Sequence, residues 1–131
     1  MDNIKRGLVS ELSTIVTENL MARHMGSGGI DVFATPAMIA LIEGAAVAAI
    51  DHLLPEGHAS VGTVVNVRHL AATPMGKTVR ARAVVTGVDG RQVTFKVEAW
   101  DDHELIGEGT HTRVVIDTAR FLKRVQQKNS G

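Results

Sequence analysis

Glu43 is the only ionisable side chain in the run Thr35-Pro36-Ala37-Met38-Ile39-Ala40-Leu41-Ile42-Glu43-Gly44-Ala45-Ala46-Val47-Ala48-Ala49-Ile50. A carboxylate in so apolar a stretch is costly to desolvate unless it is paired, protonated or open to a cleft. His69 ends a later stretch of alternating residues, on the strand face that carries Val65 and Val67. An imidazole and a carboxylate facing each other can hold opposite charges or share a proton, which is what general acid–base chemistry needs. Thr35 adds a hydroxyl at the positive end of a helix dipole, where it could orient a nucleophile or an oxyanion. Each residue also has a plainer reading. Glu43 fits a structural helix charge, His69 a satisfied core histidine, and Thr35 a helix cap worth about 1 kcal/mol.

Other chemistry finds little support. The chain has no cysteine, which removes disulfides, thiolate nucleophiles and thiolate-rich zinc sites. Any metal would have to come from His, Asp and Glu, yet His24, His52, His58, His103 and His111 lack ligand spacing. Asp51-His52 and His58 fall at a helix end and in a loop and read as solvated surface. The loop Gly26-Ser27-Gly28-Gly29 precedes a helix but lacks the strand and spacing of a dinucleotide fingerprint.

The elements that must position these residues are marked in the sequence. Thr35 as cap and Pro36 at the first helical position open a long helix, and Pro55 and Gly57 stop it. Apolar on nearly every side and rich in alanine, this helix must be surrounded by protein, with another backbone close against it. Leu8 to Thr17 reads as a strand with one irregular step, and Asn19 to His24 as a short helical turn. From Val61 to Ile116 the period is two. Val61, Thr63, Val65, Val67 and His69 share one face of a strand, with Gly62, Val64, Asn66, Arg68 and Leu70 on the other.

Val79, Ala81, Ala83 and Val85 alternate with Arg80 and Arg82. Asp89-Gly90 signals a hairpin into Val93, Phe95, Val97 and Ala99. Leu105 to Ile116 is the last strand, with Gly107 and Gly109 marking a bulge or a close backbone approach. Thr118 to Gln127 forms a short charged helix carrying Phe121, Leu122 and Val125 on one side, and the tail beyond it is expected to fray. Lys77, Arg68, Arg80 and Arg82 lie mostly on a solvated strand face. The pattern predicts an α+β fold, an antiparallel sheet with one long helix on a single face. One sheet cannot satisfy a helix that is apolar all round, so a homodimer is expected.

With 131 residues and 44% hydrophobic content, the chain is long enough for one cored domain, taken as 1–131. Fourteen basic and 14 acidic residues cancel, and the only aromatic rings are Phe33, Phe95, Phe121 and Trp100. A basic nucleic-acid face, a base-stacking surface and a membrane patch are therefore unsupported. No signal peptide is visible after Met1, and the central helix is short and interrupted by Glu43 for a bilayer span, so a cytoplasmic location is expected.

Glu43, the segment from Val61 to Pro74, the hairpin Val88-Asp89-Gly90-Arg91 and the run Gly107-Glu108-Gly109-Thr110-His111 together resemble the hot-dog-fold acyl-CoA thioesterases. Within them, the chain is most similar to the fluoroacetyl-CoA thioesterase-like group. The resemblance implies a five-stranded antiparallel sheet wrapped round one long helix, plus a short C-terminal helix. It implies dimers, or dimers of dimers, with active sites at the subunit interface, and hydrolysis of an acyl-CoA thioester without metal or other cofactor. Coenzyme A then enters only as part of the substrate. A Thr, Glu and His constellation falls on Thr35, Glu43 and His69. The substrate side falls on Gly62, near the acyl group, and on Phe33 in the Phe33-Ala34-Thr35 stretch.

In that constellation Glu43 acts as nucleophile or as base for water, His69 assists departure of the thiolate, and Thr35 orients Glu43. The chain departs from the group in one place. The group carries a longer, phenylalanine-bearing lid before Phe-Ala-Thr, whereas here only Gly26 to Val32 precedes it, which points to a different and broader acyl group. Two alternatives stand beside this reading, a non-catalytic acyl-CoA-binding module and an acyl-CoA hydratase or dehydratase. The second would need an Asp and His pair at a spacing that Asp51-His52 does not supply.

Overall fold

A computed structural model describes residues 2–129. The chain runs through β1 (Val9–Ile15), a 3-10 turn at Glu18–Leu20, a short helix α1 (Ala22–Met25), the long helix α2 (Thr35–Ile50) and a second 3-10 turn at Asp51–Leu53. Then follow β2 (His58–His69), β3 (Thr78–Asp89), β4 (Gln92–Trp100), β5 (Leu105–Asp117) and α3 (Thr118–Gln126). The strands form one antiparallel five-stranded sheet in the order β1-β3-β4-β5-β2, which leaves β1 and β2 as its edges. The sheet curls round α2, and this is the hot-dog fold.

Alternation builds the core as the sequence predicts. Val79, Ala81, Ala83 and Val85 of β3 and Val93, Phe95, Val97 and Ala99 of β4 are all buried. They join one core cluster with Ala37, Met38, Ile42, Ala45, Ala46, Ala49 and Ile50 of α2. Truncating a side chain such as Ile42 there costs about 2–5 kcal/mol. Arg80 and Arg82 point outward and meet Glu11 of β1. The segment Thr35–Leu53 is long and apolar enough to cross a membrane by composition, but it supplies the centre of this core. Its sheet does not cover it completely, since Ile39, Ala40, Glu43 and Val47 lie along one side of α2 outside the buried set.

Three local expectations are corrected. Ala34, not Thr35, is the N-cap of α2, and no side chain caps the helix; Thr35 is the first helical residue and Pro36 the second. The reason is backbone stitching upstream. Phe33 N–H donates to the Thr73 carbonyl (2.8 Å) and Ala34 N–H to the Leu20 carbonyl (2.9 Å), so the chain is already fixed before the helix starts. Second, β2 does not keep one alternation. A bulge between Gly62 and Val64 shifts its register against β5, so Gly62 pairs with Arg113 and Val64 with Thr112. An extra residue reverses side-chain parity, which turns Ser60 and Gly62 before the bulge to the same side as Val67 and His69 after it. Third, Asp51, read as solvated surface, is half-buried and accepts from Ser60 Oγ (2.5 Å) and Ser60 N–H (3.2 Å).

The remaining landmarks follow the sequence. The 89–92 hairpin turns at Gly90 (φ 59°). Gly107 stands at an irregularity in the β4–β5 pairing, where Ala99 faces Gly107 but Trp100 faces Leu105, and both glycines mark close approach, since a Cβ would strike Met38 Sδ at Gly107 and the Asn66 carbonyl at Gly109. Asp117 caps α3 by accepting from Arg120 N–H (3.0 Å), and Phe121, Leu122 and Val125 are exposed on it. The predicted helical turn at 19–24 is split at Met21, which forms a bridge with Phe33. The expected fraying at 130–131 lies outside the described residues.

Candidate active site

The start of α2 and the end of β2 bring Thr35 and His69 together, with Thr35 Oγ1 2.7 Å from His69 Nδ1. The pair sits in a cleft of about 390 Å3 lined also by Ala22, Ile30, Val32 and the buried Phe33. Thr73 secures this end of the molecule, because its carbonyl holds Phe33 and its hydroxyl donates to Asp101 (2.8 Å). Across the cleft mouth, Arg23 ties the 26–31 loop by donating to Asp31 (2.9 Å) and to the Gly29 carbonyl (2.7 Å). Both side chains are largely exposed, so this tie contributes little stability.

His69 Nε2 is buried and has no hydrogen-bond partner among the described residues. Burial lowers the pKa of His69 from its usual 6.5, and the Ala71 backbone opposes the shift without completing a bond to Nε2. The result is a neutral imidazole, gripped at one nitrogen and unpaired at the other.

Glu43 belongs to a second cluster. It lies two helical turns past Thr35, about 12 Å along the axis, and its carboxylate faces Gly62. A Cβ on Gly62 would come within 2.6 Å of Glu43 Oε2, 3.2 Å of His111 Cε1 and 3.3 Å of Arg113 Nη1, so glycine is required for the carboxylate to sit there. Arg113 Nη1 donates to Glu43 Oε2 (3.4 Å) and to His111 Nε2 (3.2 Å). Arg113 Nε donates to Ser60 Oγ (2.8 Å) and Nη2 to the Ser60 carbonyl (2.9 Å). A buried cation needs such a full set of partners.

The bonding fixes the state of His111. Nε2 accepts from Arg113, so the proton is on Nδ1, where it is donated to the Val64 carbonyl (2.7 Å). Burial first, and the Arg113 charge as well, hold its pKa below the usual value against the opposing Val64 bond and the Glu43 charge. Its ring stacks on Phe95 with centroids 5.9 Å apart.

Within one chain the structure therefore joins Thr35 to His69 and Glu43 to Gly62, but it does not bring the two pairs together. Arg113, Ser60, His111 and Asp51 escaped the sequence reading. His111 and Arg113 did carry a signal, since they alternate with Val115 at inward positions of β5, where apolar residues belong. Ser60 and Asp51 carried none. Among the described residues no group of His, Cys, Asp and Glu is arranged to hold a metal ion.

Comparison with known proteins bears on this arrangement. Residues 16–119 match the family described as FlK, fluoroacetyl-CoA-specific thioesterase. The fluoroacetyl-CoA thioesterase of Streptantibioticus cattleyicolor is 44% identical over 98 residues, 75% of this chain and 70% of that relative. The solved structure of FlK aligns with a TM-score of 0.92 at 36% identity, covering 97% of this chain and 98% of that one. A threonine-to-serine variant of FlK in complex with acetyl-CoA gives 0.90 at 35% identity, over 95% and 98%. Agreement of this extent in both sequence and backbone makes the chain a member of the FlK family of hot-dog proteins, an acyl-CoA thioesterase.

Proposed function

We propose that acyl-CoA hydrolysis takes place at a site built by two copies of this chain, with Thr35 and His69 from one protomer and Glu43 and Gly62 from its partner. The observation that carries this reading is His69 Nε2, a buried and unbonded ring nitrogen in a cleft, on an imidazole already held by Thr35. It lacks an acidic partner, and the chain's own Glu43 is two helical turns away.

Two features support a partner as the source of the carboxylate. β2 is a 12-residue edge strand with Val64 and Val65 exposed beyond its bulge, an edge whose outer backbone groups can pair with a second copy. An antiparallel two-fold near Val65 sets His69 opposite the partner's Val61, beside the partner's Gly62 and the partner's Glu43. The same pairing covers the open side of α2 at Ile39, Ala40 and Val47.

In this site Arg113 holds Glu43 Oε2, and Oε1 is left to act on the thioester. Glu43 either attacks the carbonyl carbon, giving an anhydride that water then opens, or takes a proton from the attacking water. In both routes the C–S bond breaks and the sulfur receives a proton. With the Thr35 hydroxyl donating to Nδ1, the His69 proton sits on Nε2, aimed at the oxygen or sulfur that gains charge. Oxygen-18 in Glu43 after a single turnover in labelled water marks the anhydride route with water opening the Glu43 carbonyl. The short 26–32 segment supports an acyl range wider than fluoroacetyl.

Thiol release from a panel of acetyl-, fluoroacetyl-, longer and aromatic acyl-CoAs tests the activity, with turnover expected across several and no strong preference for fluoroacetyl. Glu43→Ala and His69→Ala are each expected to lose about 100- to 10,000-fold. Mixing the two inactive variants under subunit exchange should restore about a quarter of wild-type activity, because half the dimers then contain one intact composite site. No recovery on mixing places both groups in one chain and sinks the shared site. Tight binding without thiol release would indicate a binding module.

A further inference from the structure

We infer that Asp51 is a positioning residue for Glu43, acting through Ser60 and Arg113; this rests on the reading of Glu43 as the reacting carboxylate. Asp51 closes the C-terminal end of α2, the end where the helix dipole disfavours a negative charge. Helix formation therefore does not account for it. Its carboxylate is committed to a single residue, with Ser60 Oγ at 2.5 Å from Oδ1 and Ser60 N–H at 3.2 Å from Oδ2.

The direction of the bonds follows from donor counting. A carboxylate only accepts, so the one hydroxyl proton of Ser60 goes to Asp51, which leaves the Ser60 lone pairs for Arg113 Nε at 2.8 Å. The Ser60 carbonyl takes Arg113 Nη2 at 2.9 Å. One residue thus clamps a whole edge of the guanidinium, and only Nη1 remains, directed at His111 Nε2 and Glu43 Oε2. The Arg113–Glu43 contact, at 3.4 Å, is already long. Any rotation of Arg113 breaks it and frees Glu43, whose side chain is still 38% exposed.

Asp51→Asn makes this testable without a change of size. An amide has an accepting oxygen at one of these two positions and a donating nitrogen at the other, so it cannot reproduce acceptance at both Oδ1 and Oδ2. If its nitrogen faces Ser60 Oγ, the hydroxyl proton turns toward Arg113 and the clamp is lost. A side chain that only filled space would tolerate asparagine.

The experiment compares wild type, Asp51→Asn, Ser60→Ala and the double variant on one acyl-CoA substrate, with exchange of the Arg113 Nε–H followed by 15N NMR. For Asp51→Asn, kcat is expected to fall about ten- to a hundredfold with KM nearly unchanged. The Nε–H, slow to exchange in wild type, becomes fast. Ser60→Ala should match this, and adding Asp51→Asn to it should cost nothing more, because both act through one contact. Unchanged kcat in Asp51→Asn overturns the inference whatever the exchange shows. A kcat loss with unchanged Nε–H exchange, or additive losses in the double variant, overturns it as well. Failure of the Glu43 assignment is separate, because it appears as activity retained in Glu43→Ala while the Nε–H exchange still reports the link from Asp51 to Arg113.

Discussion

His69 and His111 share a physical state reached by different means. Both imidazoles have pKa values lowered chiefly by burial, so both stay neutral in the fold at a pH where the unfolded chain begins to bind protons. Below the ordinary value near 6.5, the unfolded state therefore carries more protons than the native one, and stability falls as pH drops from there toward the folded values. Above that window these two residues contribute no pH dependence. Urea unfolding at pH 7.5, 6.5 and 5.5 should show a decline confined to the acidic side. His69→Asn should remove part of that slope, and an unchanged slope would refute the assignment. Of the two rings, only His69 has a nitrogen to spare for a substrate, because the Val64 carbonyl and Arg113 occupy both nitrogens of His111.

At the scale of elements, the bulge in β2 decides which residues meet α2. Without it, Gly62 and His69, seven residues apart, would lie on opposite faces of the strand. With it, both turn toward the helix, Gly62 against Glu43 and His69 against Thr35. Gly62→Ala tests the close contact. The new methyl would meet Glu43 Oε2 at the end of a flexible arm, but also His111 and Arg113, which are held in place. Overpacking of this kind costs about 1–3 kcal/mol of stability. Displacing the carboxylate should cost more in rate, about a hundredfold in kcat. A variant that unfolds more easily yet turns over at the wild-type rate would show that Glu43 does not need this seat.

For the whole molecule, the open question for the sheet is its free edge. β1, the other edge, is seven residues long and carries Glu11 bridged to Arg80 and Arg82 on its outer face. β2 is longer and exposes Val64 and Val65 side by side. Such an edge invites a second strand unless a charge is placed on it. Val65→Lys should therefore shift the protein toward monomer in sedimentation and reduce acyl-CoA turnover together with dimer content. A fully active monomeric variant would separate catalysis from assembly.

What the sequence determined by itself was everything that rests on local pattern. Period two in Val79–Val85 and Val93–Ala99, the hairpin at Gly90 and the proline-led long helix are consequences of short-range sterics and burial. The family resemblance named Thr35, Glu43, His69, Gly62 and Phe33 because those motifs are contiguous in the chain. Tertiary structure alone decided the partners. A one-residue bulge cannot be seen in an alternating run of Val and Thr, yet it reverses the face of Gly62. Arg113 and Ser60 are 53 residues apart and Arg113 and Glu43 are 70 apart. Their bonds exist only because β5 pairs with β2 over one helix, and no local preference of any of these residues encodes that meeting.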